Sequence, residues 1–289
     1  MARTDTLGHF LTDVADAIRE KTGDSDPITA EDFDTEIESI ETGGGKYKPK
    51  YISFQGYTGS DLTYETQNLD TSLITTMSYM FFNCGSLTTL DTSGFDTSSV
   101  TTMQNMFGSC ARLTSANFDN FNLTNVVHIG GFLQGCTRLT SVSMKPTNNK
   151  PTTTITLTAM FSGCSSLTSV DIRLDLTGSN NDVYTEMFDG CTSLQELDLS
   201  GITSNKMYNT RRMFRNCTSL TKIDMRNFDF SNPPSLTYIT DMFGATASNG
   251  VPDNCLIIMK DATAKSFITT NFTRLTNVKT AAEYEASQT

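Results

Sequence analysis

A short apolar pattern that returns at a nearly fixed interval constrains this chain more than any other feature. Six cysteines, Cys84, Cys110, Cys136, Cys164, Cys191 and Cys217, follow one another at steps of 26, 26, 28, 27 and 26 residues. Three residues before them stand Phe81, Phe107, Leu133, Phe161, Phe188 and Phe214. Three after them stand Leu87, Leu113, Leu139, Leu167, Leu194 and Leu220, and six after them Leu90, Ala116, Val142, Val170, Leu197 and Ile223. A seventh copy, Asp241-Met242-Phe243, carries Thr246 at the cysteine position. A unit this short cannot bury its apolar side alone, so such units stack and bury it against each other. The period predicts an α/β solenoid of about 26 residues per coil, with short parallel strands about 4.8 Å apart and a rod on the order of 35 Å long. A hydrophobic content of 37% suits so thin a core.

Within each coil, Leu87 to Asp91 and its equivalents read as the strand. Met77, Met80 and Phe81, like Met103, Met106 and Phe107, have the 3-and-4 spacing of a helical turn on the opposite side. The in-register cysteines read as small buried core residues with free thiols rather than disulfides or ligands. Two steps are interrupted, by Lys145-Pro146-Thr147-Asn148-Asn149-Lys150-Pro151 and by Asn232-Pro233-Pro234. Insertions into repeats map to loops and often to binding faces, so Lys145, Asn148, Asn149, Lys150 and Asn232 are candidate binding positions, with the variable residues beside Leu90 and its equivalents.

Four segments follow from this pattern. Residues 1–42 hold two amphipathic helices, the first burying Leu7, Phe10, Leu11, Val14 and Ile18, the second Phe33 and Ile37 behind a Thr29 N-cap. Too small for a core of their own, they must dock on something. A linker (Thr42-Gly43-Gly44-Gly45) favours an anchoring or oligomerising role over a local cap. Residues 43–68 form that linker and a first strand around Tyr51, Ile52 and Phe54; residues 69–250 are the solenoid. Residues 251–289 read as a C-terminal cap: a strand at 255–259, a helix from about Asp261 to Phe272, then a polar tail.

The net charge of −11 argues against a nucleic-acid partner, which needs a basic face. No run of about 18 apolar residues is present to insert in a membrane, and the first residues lack the apolar stretch of a secretory signal.

The run Val100-Thr101-Thr102-Met103-x2-Met106-Phe107-x2-Cys110-x2-Leu113, repeated in Cys191-Thr192-Ser193-Leu194-Gln195-Glu196-Leu197, resembles the BspA-like leucine-rich repeats. That resemblance implies Cys-x2-Leu-x2-Leu/Ile strands. It also implies a binding or structural protein, since such repeats occur in bacterial surface adhesins and in phage proteins. Residues 7–23 (LGHFLTDVADAIREKTG), 27–37 (PITAEDFDTEI) and 275–284 (LTNVKTAAEY) resemble segments of phage minor structural and tail-fibre-like proteins of Gram-positive hosts. The resemblance implies a non-enzymatic virion protein, made in the host cytoplasm without a signal peptide. Residues 1–42 would attach it to other virion proteins, with homo-oligomerisation expected. The repeats would face a host-surface glycan or protein. A purely structural capsid decoration or fibre subunit and a bacterial surface adhesin are the alternatives.

Chemistry-bearing motifs are few. His9 and His128 have no partner motif, and no metal-spaced pair, phosphate loop or nucleophile elbow occurs; no catalytic residue, cofactor or metal is expected. Asp91, Asp171, Asp198 and Asp224 recur seven residues after a cysteine and read as solvated strand ends, with calcium or sugar binding as the alternative. Asp175, Asp182 and Glu186 are the acids a glycosidase reading would use. Arg211, Arg212 and Arg215 read as exposed helix-turn residues, or as a basic spot for phosphate-bearing wall polymers or an acidic partner subunit.

Overall fold

The computed structural model describes residues 52–62, 66, 69–146, 148, 155–177, 182–204, 207–232 and 234–289. The N-terminal helices with Leu7, His9, Phe10, Leu11, Val14, Ile18, Phe33 and Ile37, and also Asn149 and Lys150, lie outside the described residues.

The repeat folds into stacked coils. Short strands recur along it: β1 (Ser115–Asn117), β2 (Ser141–Met144), β3 (Ser169–Ile172), β4 (Leu174–Asp175), β5 (Asp182–Val183), β6 (Glu196–Asp198), β7 (Ile202–Thr203), β8 (Met207–Asn209), β9 (Lys222–Met225) and β10 (Leu256–Met259). After helix α1 (Ala262–Asn271), β11 (Val278–Thr280) runs into helix α2 (Ala281–Ala286). All the strand pairs are parallel, and the register aligns the residues six after each cysteine: Ala116 with Val142 with Val170, and Leu197 with Ile223. The sheet is not continuous, as the period alone implied. It divides into β1-β2-β3 and β6-β9-β10-β11. In the first repeat the strand shrinks to single bonds, Thr88 N–H to Ser60 O and Thr114 N–H to Thr88 O. Ile52 to Phe54, expected as strand, is irregular, yet Phe54 N–H donates to Met80 O at 2.7 Å and starts the stack.

A second ladder runs through Thr76, Thr102, His128, Thr156 and Val183, and ends at Asn209. A third side holds the Asn122–Asn148 bridge and the β4–β7 pair.

The Met-x2-Met-Phe segment is not helical. Its amides alternate between two uses. Met77, Tyr79, Phe81 and Asn83 N–H donate to Thr102, Gln104, Met106 and Gly108 O of the next coil, while Met80, Phe82 and Cys84 N–H close turns onto carbonyls three residues back. Such linked turns bring the chain into the left-handed region twice per coil. Tyr79, Asn105, Gly131, Ala159, Glu186, Arg212 and Asp241 form one column with φ between 51° and 65°; Asn83, Ser109, Gly135, Gly163, Gly190 and Asn216 form the other. A non-glycine residue pays about 1–2 kcal/mol for that conformation. It is held because these amides, from Tyr79 to Arg212 and from Asn83 to Asn216, have partners one coil on, as in Ala159 N–H to Thr185 O at 2.8 Å.

The predicted core residues line the interior: the six cysteines and Leu87, Leu139, Leu167, Leu194 and Leu220 have no exposed surface, and Leu113 has 2%. Rings stack from coil to coil, Phe54 on Phe81 on Phe107, and Phe161 on Phe188 on Phe214 on Phe243, with centroids 5.1–6.0 Å apart. Where Leu133 interrupts the column, Phe132 turns its edge to Phe107 at 5.3 Å. All seven cysteines are free and buried. The six of the repeat each donate a thiol proton to the carbonyl of the aromatic column in the preceding coil, from Cys84 to Phe54 O at 3.0 Å to Cys217 to Phe188 O at 3.1 Å; Cys164 uses Leu133 O at 3.2 Å. The same carbonyls accept the turn amide three residues on, that of Tyr57 for Phe54 and that of the coil's own cysteine for the others, so both lone pairs are used.

The C-terminal end is closed by a mimic of one more coil. Phe272 meets the Phe243 ring edge-on at 5.0 Å. The Arg274 guanidinium donates to Phe243 O (2.5 Å), Gly244 O (3.1 Å) and Val251 O (2.6 Å), in place of the thiol and amides a further coil would bring. Asp261 caps α1 by accepting Ala264 N–H. Residues expected as a polar tail are ordered: β11 extends the sheet, and Thr280 with Glu283 forms a capping box on α2.

Candidate functional site

The turn side between the second and fourth coils carries a cavity of about 390 Å³. Its floor is Gly130 and Gly131; its walls are Gln104, Asn105, His128, Gln134 and Thr158. A Cβ on Gly131, whose φ is +65°, would lie 2.1 Å from Asn105 Oδ1, so the glycine leaves room for that amide in its place across the next coil. Beside the cavity, Phe82 covers Gly108, and Tyr79, 40% exposed, meets Phe82 edge-on at 5.5 Å.

The repeat supplies its own comparison, because the same columns continue into later coils. At the equivalents of Asn105, Glu186 binds Arg212 at 3.1 Å. At the equivalents of Gln134, Asp189 is held by Arg215 through two nitrogens and by Asn216 Nδ2 at 2.9 Å. Those hydrogen bonds to Asp189 raise the Arg215 pKa above its usual value. In the cavity no such pairing occurs: among the described residues, the side chains of Gln104, Asn105, His128 and Gln134 make no hydrogen bond within the protein. Amides that both donate and accept converge there without an internal partner.

The positions singled out from the sequence fall elsewhere. Lys145 is occupied: its ammonium binds Asp171 at 2.7 Å and lies 3.7 Å from Asp119, and the hydrogen bond to Asp171 raises its pKa. Asn148 does not bulge away but stays in the stack, its carbonyl accepting Leu123 N–H at 2.8 Å. Asn232 is exposed. The acidic column makes Asx turns, Asp91 accepting Ser93 N–H, Asp198 at the end of β6 Ser200 N–H, and the buried Asp224 within β9 Arg226 N–H. Asp224 also chelates the Arg226 guanidinium, while Asp171 pairs with Lys145. Among the described residues no group of three or more His, Cys, Asp or Glu is placed to hold a metal ion. Asp175 is tied to Thr177, and Glu186 to Arg212; the side chain of Asp182 is outside the described residues. The arginine cluster is largely neutralised by the Arg212 and Arg215 pairs, which leaves Arg211 as its exposed member.

Stacked coils with short parallel strands and a recurrent Cys-x2-Leu segment fit a leucine-rich-repeat fold. Residues 134–243 match, in six copies, the family model described as BspA type leucine rich repeat region, and residues 52–173 match one described as Mycoplasma protein of unknown function, DUF285. Over residues 134–243 the repeats are therefore similar to the BspA type. Two crystal structures are similar. A leucine-rich repeat protein from Bacteroides ovatus has 16% identity, over 73% of this chain and 77% of that one, with a TM-score of 0.27. A leucine rich cell surface protein from Faecalibacterium prausnitzii has 14% identity, over 84% and 85%, with a TM-score of 0.20. No curated protein matches the sequence. Among the described residues no helix is long and apolar enough to cross a membrane.

Proposed function

We propose that this chain is a non-enzymatic surface-binding protein whose coils form one solenoid, with the turn-side cavity as its recognition site. The observation that carries the reading is the contrast between coils: polar side chains in the same columns are paired in the fifth and sixth coils and unpaired around Gly130 and Gly131. Gln104, His128 and Gln134 are exposed, so their donors and acceptors face water and are open to a ligand. In its finer form, the protein is displayed on a phage particle, attached and oligomerised through residues 1–42, and binds a Gram-positive host surface. The resemblance of residues 7–23 and 27–37 to phage structural proteins supports that form. Avidity between copies offsets weak single sites.

The test uses labelled full-length protein on Gram-positive cells and wall fragments. Wild type should bind, and Gln104→Ala with Gln134→Ala should reduce binding at least tenfold at unchanged thermal stability. Equal binding by that variant refutes the site. The structural-subunit reading has its own support in Leu236 (66% exposed) and Tyr208 (41%), the latter packed on Tyr238 at 4.8 Å. On that reading, Leu236→Asp dissociates an oligomer in light scattering and leaves cell binding absent throughout.

A further inference from the structure

We infer that the cavity over Gly130 and Gly131 binds an uncharged saccharide of a surface polymer; this rests on the binding reading above and narrows its ligand.

Three features select the chemistry. The first is charge. In a chain with net charge −11, no lysine, arginine, aspartate or glutamate lines the cavity. A phosphate, sulfate or uronate would find no cation there to pair with, and the field of the whole chain opposes its approach. The second is hydrogen-bonding capacity. Gln104, Asn105 and Gln134 each present two donors and an acceptor side by side, which matches neighbouring sugar hydroxyls that donate and accept in turn. A peptide adding as a strand finds no comparable offer. The turn-side amides Met103, Asn105, Phe107 and Ser109 already donate to His128, Gly130, Phe132 and Gln134 O, so backbone pairing is closed to it.

The third feature is the neighbouring aromatic pair. Tyr79 occupies the same column as Asn105, one coil earlier, and its amide donates to Gln104 O at 2.9 Å. Its exposed ring, held edge-on against Phe82, offers an apolar face of the kind that packs on the C–H face of a pyranose. Coils lie about 4.8 Å apart, comparable to the length of one sugar unit in a polymer. A glycan lying along the stack would therefore meet Tyr79, then Asn105, then Gln134 on successive units. A volume of about 390 Å³ lies within the usual range for small-ligand sites, roughly 300–1,000 Å³.

Saturation-transfer NMR on the full chain tests this, with a panel of neutral hexose and N-acetylhexosamine oligosaccharides beside sulfated and uronic-acid ones. Neutral members should bind. The Gln104→Ala with Gln134→Ala variant should lose at least tenfold in affinity with an unchanged melting temperature. Tyr79→Gly removes the ring and suits its positive φ, so it should also weaken binding without loss of stability, whereas Tyr208→Ala should bind as wild type. Signal from acidic members alone, no saccharide signal at millimolar concentration, or unchanged affinity in both cavity variants overturns the assignment. If the double variant loses cell binding but no oligosaccharide competes for it, the glycan assignment fails while the binding site stands. Undiminished cell binding by that variant removes both.

Discussion

Replacing Arg274 with methionine keeps the aliphatic stem but removes the donors that close the C-terminal end of the stack. The side chain is 20% exposed and reaches three carbonyls of the buried residues Phe243, Gly244 and Val251. Phe243 O keeps another partner, the Val251 N–H at 2.8 Å. Gly244 O and Val251 O keep none among the described residues. Orphaning a buried carbonyl costs about 1–3 kcal/mol, so Arg274→Met should cost about 2–6 kcal/mol, with little from the pair to half-exposed Asp253. The effect should also be local, because in a stack each coil contacts only its neighbours. Urea titration with hydrogen-exchange mass spectrometry reads both terms. Peptides covering 236–289 should lose protection first, while those covering 77–113 exchange as in wild type; Asp253→Asn should cost less than about 1 kcal/mol. A loss below about 1 kcal/mol for Arg274→Met, or uniform loss of protection, would refute the view of Arg274 as a substitute coil.

Two further outcomes follow from the charges and thiols. The hydrogen bond from Lys260 to Asp229, at 2.8 Å, holds the Asp229 carboxyl down to about 2. Unfolded aspartate titrates near 3.9, so the folded form is favoured above that pH and the advantage is lost as pH falls from about 4 towards 2. Lys260→Met should flatten the stability–pH curve in that window alone; an unchanged slope counts against the pair. Burial pushes the Cys164 thiol up to about 12, and the Cys191 and Cys217 thiols above their usual range. These three should resist iodoacetamide at pH 8 in the native protein and react on denaturation. Peptide mapping that finds any of them alkylated in the native state would contradict their place in the column.

The core was legible because one small set of residues recurs in register, and a residue repeated every coil has one environment. Features that occur once were not. Phe132 replaces the missing ring at Leu133 by an edge contact that no periodic pattern encodes. The ordered tail was missed although its signature stands in the sequence: Thr280, three residues before Glu283, is a capping-box spacing, and Leu275 and Val278 are apolar positions buried beside it. The acidic column departs from the expectation of solvated strand ends: Asp198 ends β6, but Asp171 and Asp224 lie within β3 and β9 and Asp224 is buried, because their Asx turns and arginine or lysine partners depend on the backbone and on neighbouring coils. Lys145 looked free because its partners, Asp119 and Asp171, lie 26 residues away in either direction.

The candidate site was hidden by a misread turn. Met77, Met80 and Phe81 have helical spacing because linked turns also bring every third and fourth side chain inward, so apolar periodicity cannot separate the two. The discriminating signal is the residue before each cysteine: Asn83, Ser109, Gly135, Gly163, Gly190 and Asn216. A helix has no reason to place asparagine, serine or glycine at one point of every repeat, whereas a turn that passes through positive φ does. Reading that column as a turn changes which residues face outward. In a helix, Gln104, Asn105 and Gln134 would be ordinary solvated positions. In a laddered turn they are neighbours one coil apart, on a rigid backbone, with their amides free and glycine beneath them. The interruptions of a repeat draw attention because they break the pattern. Here the unpaired groups belong to regular coils, and they become visible only when each column is followed from one coil to the next.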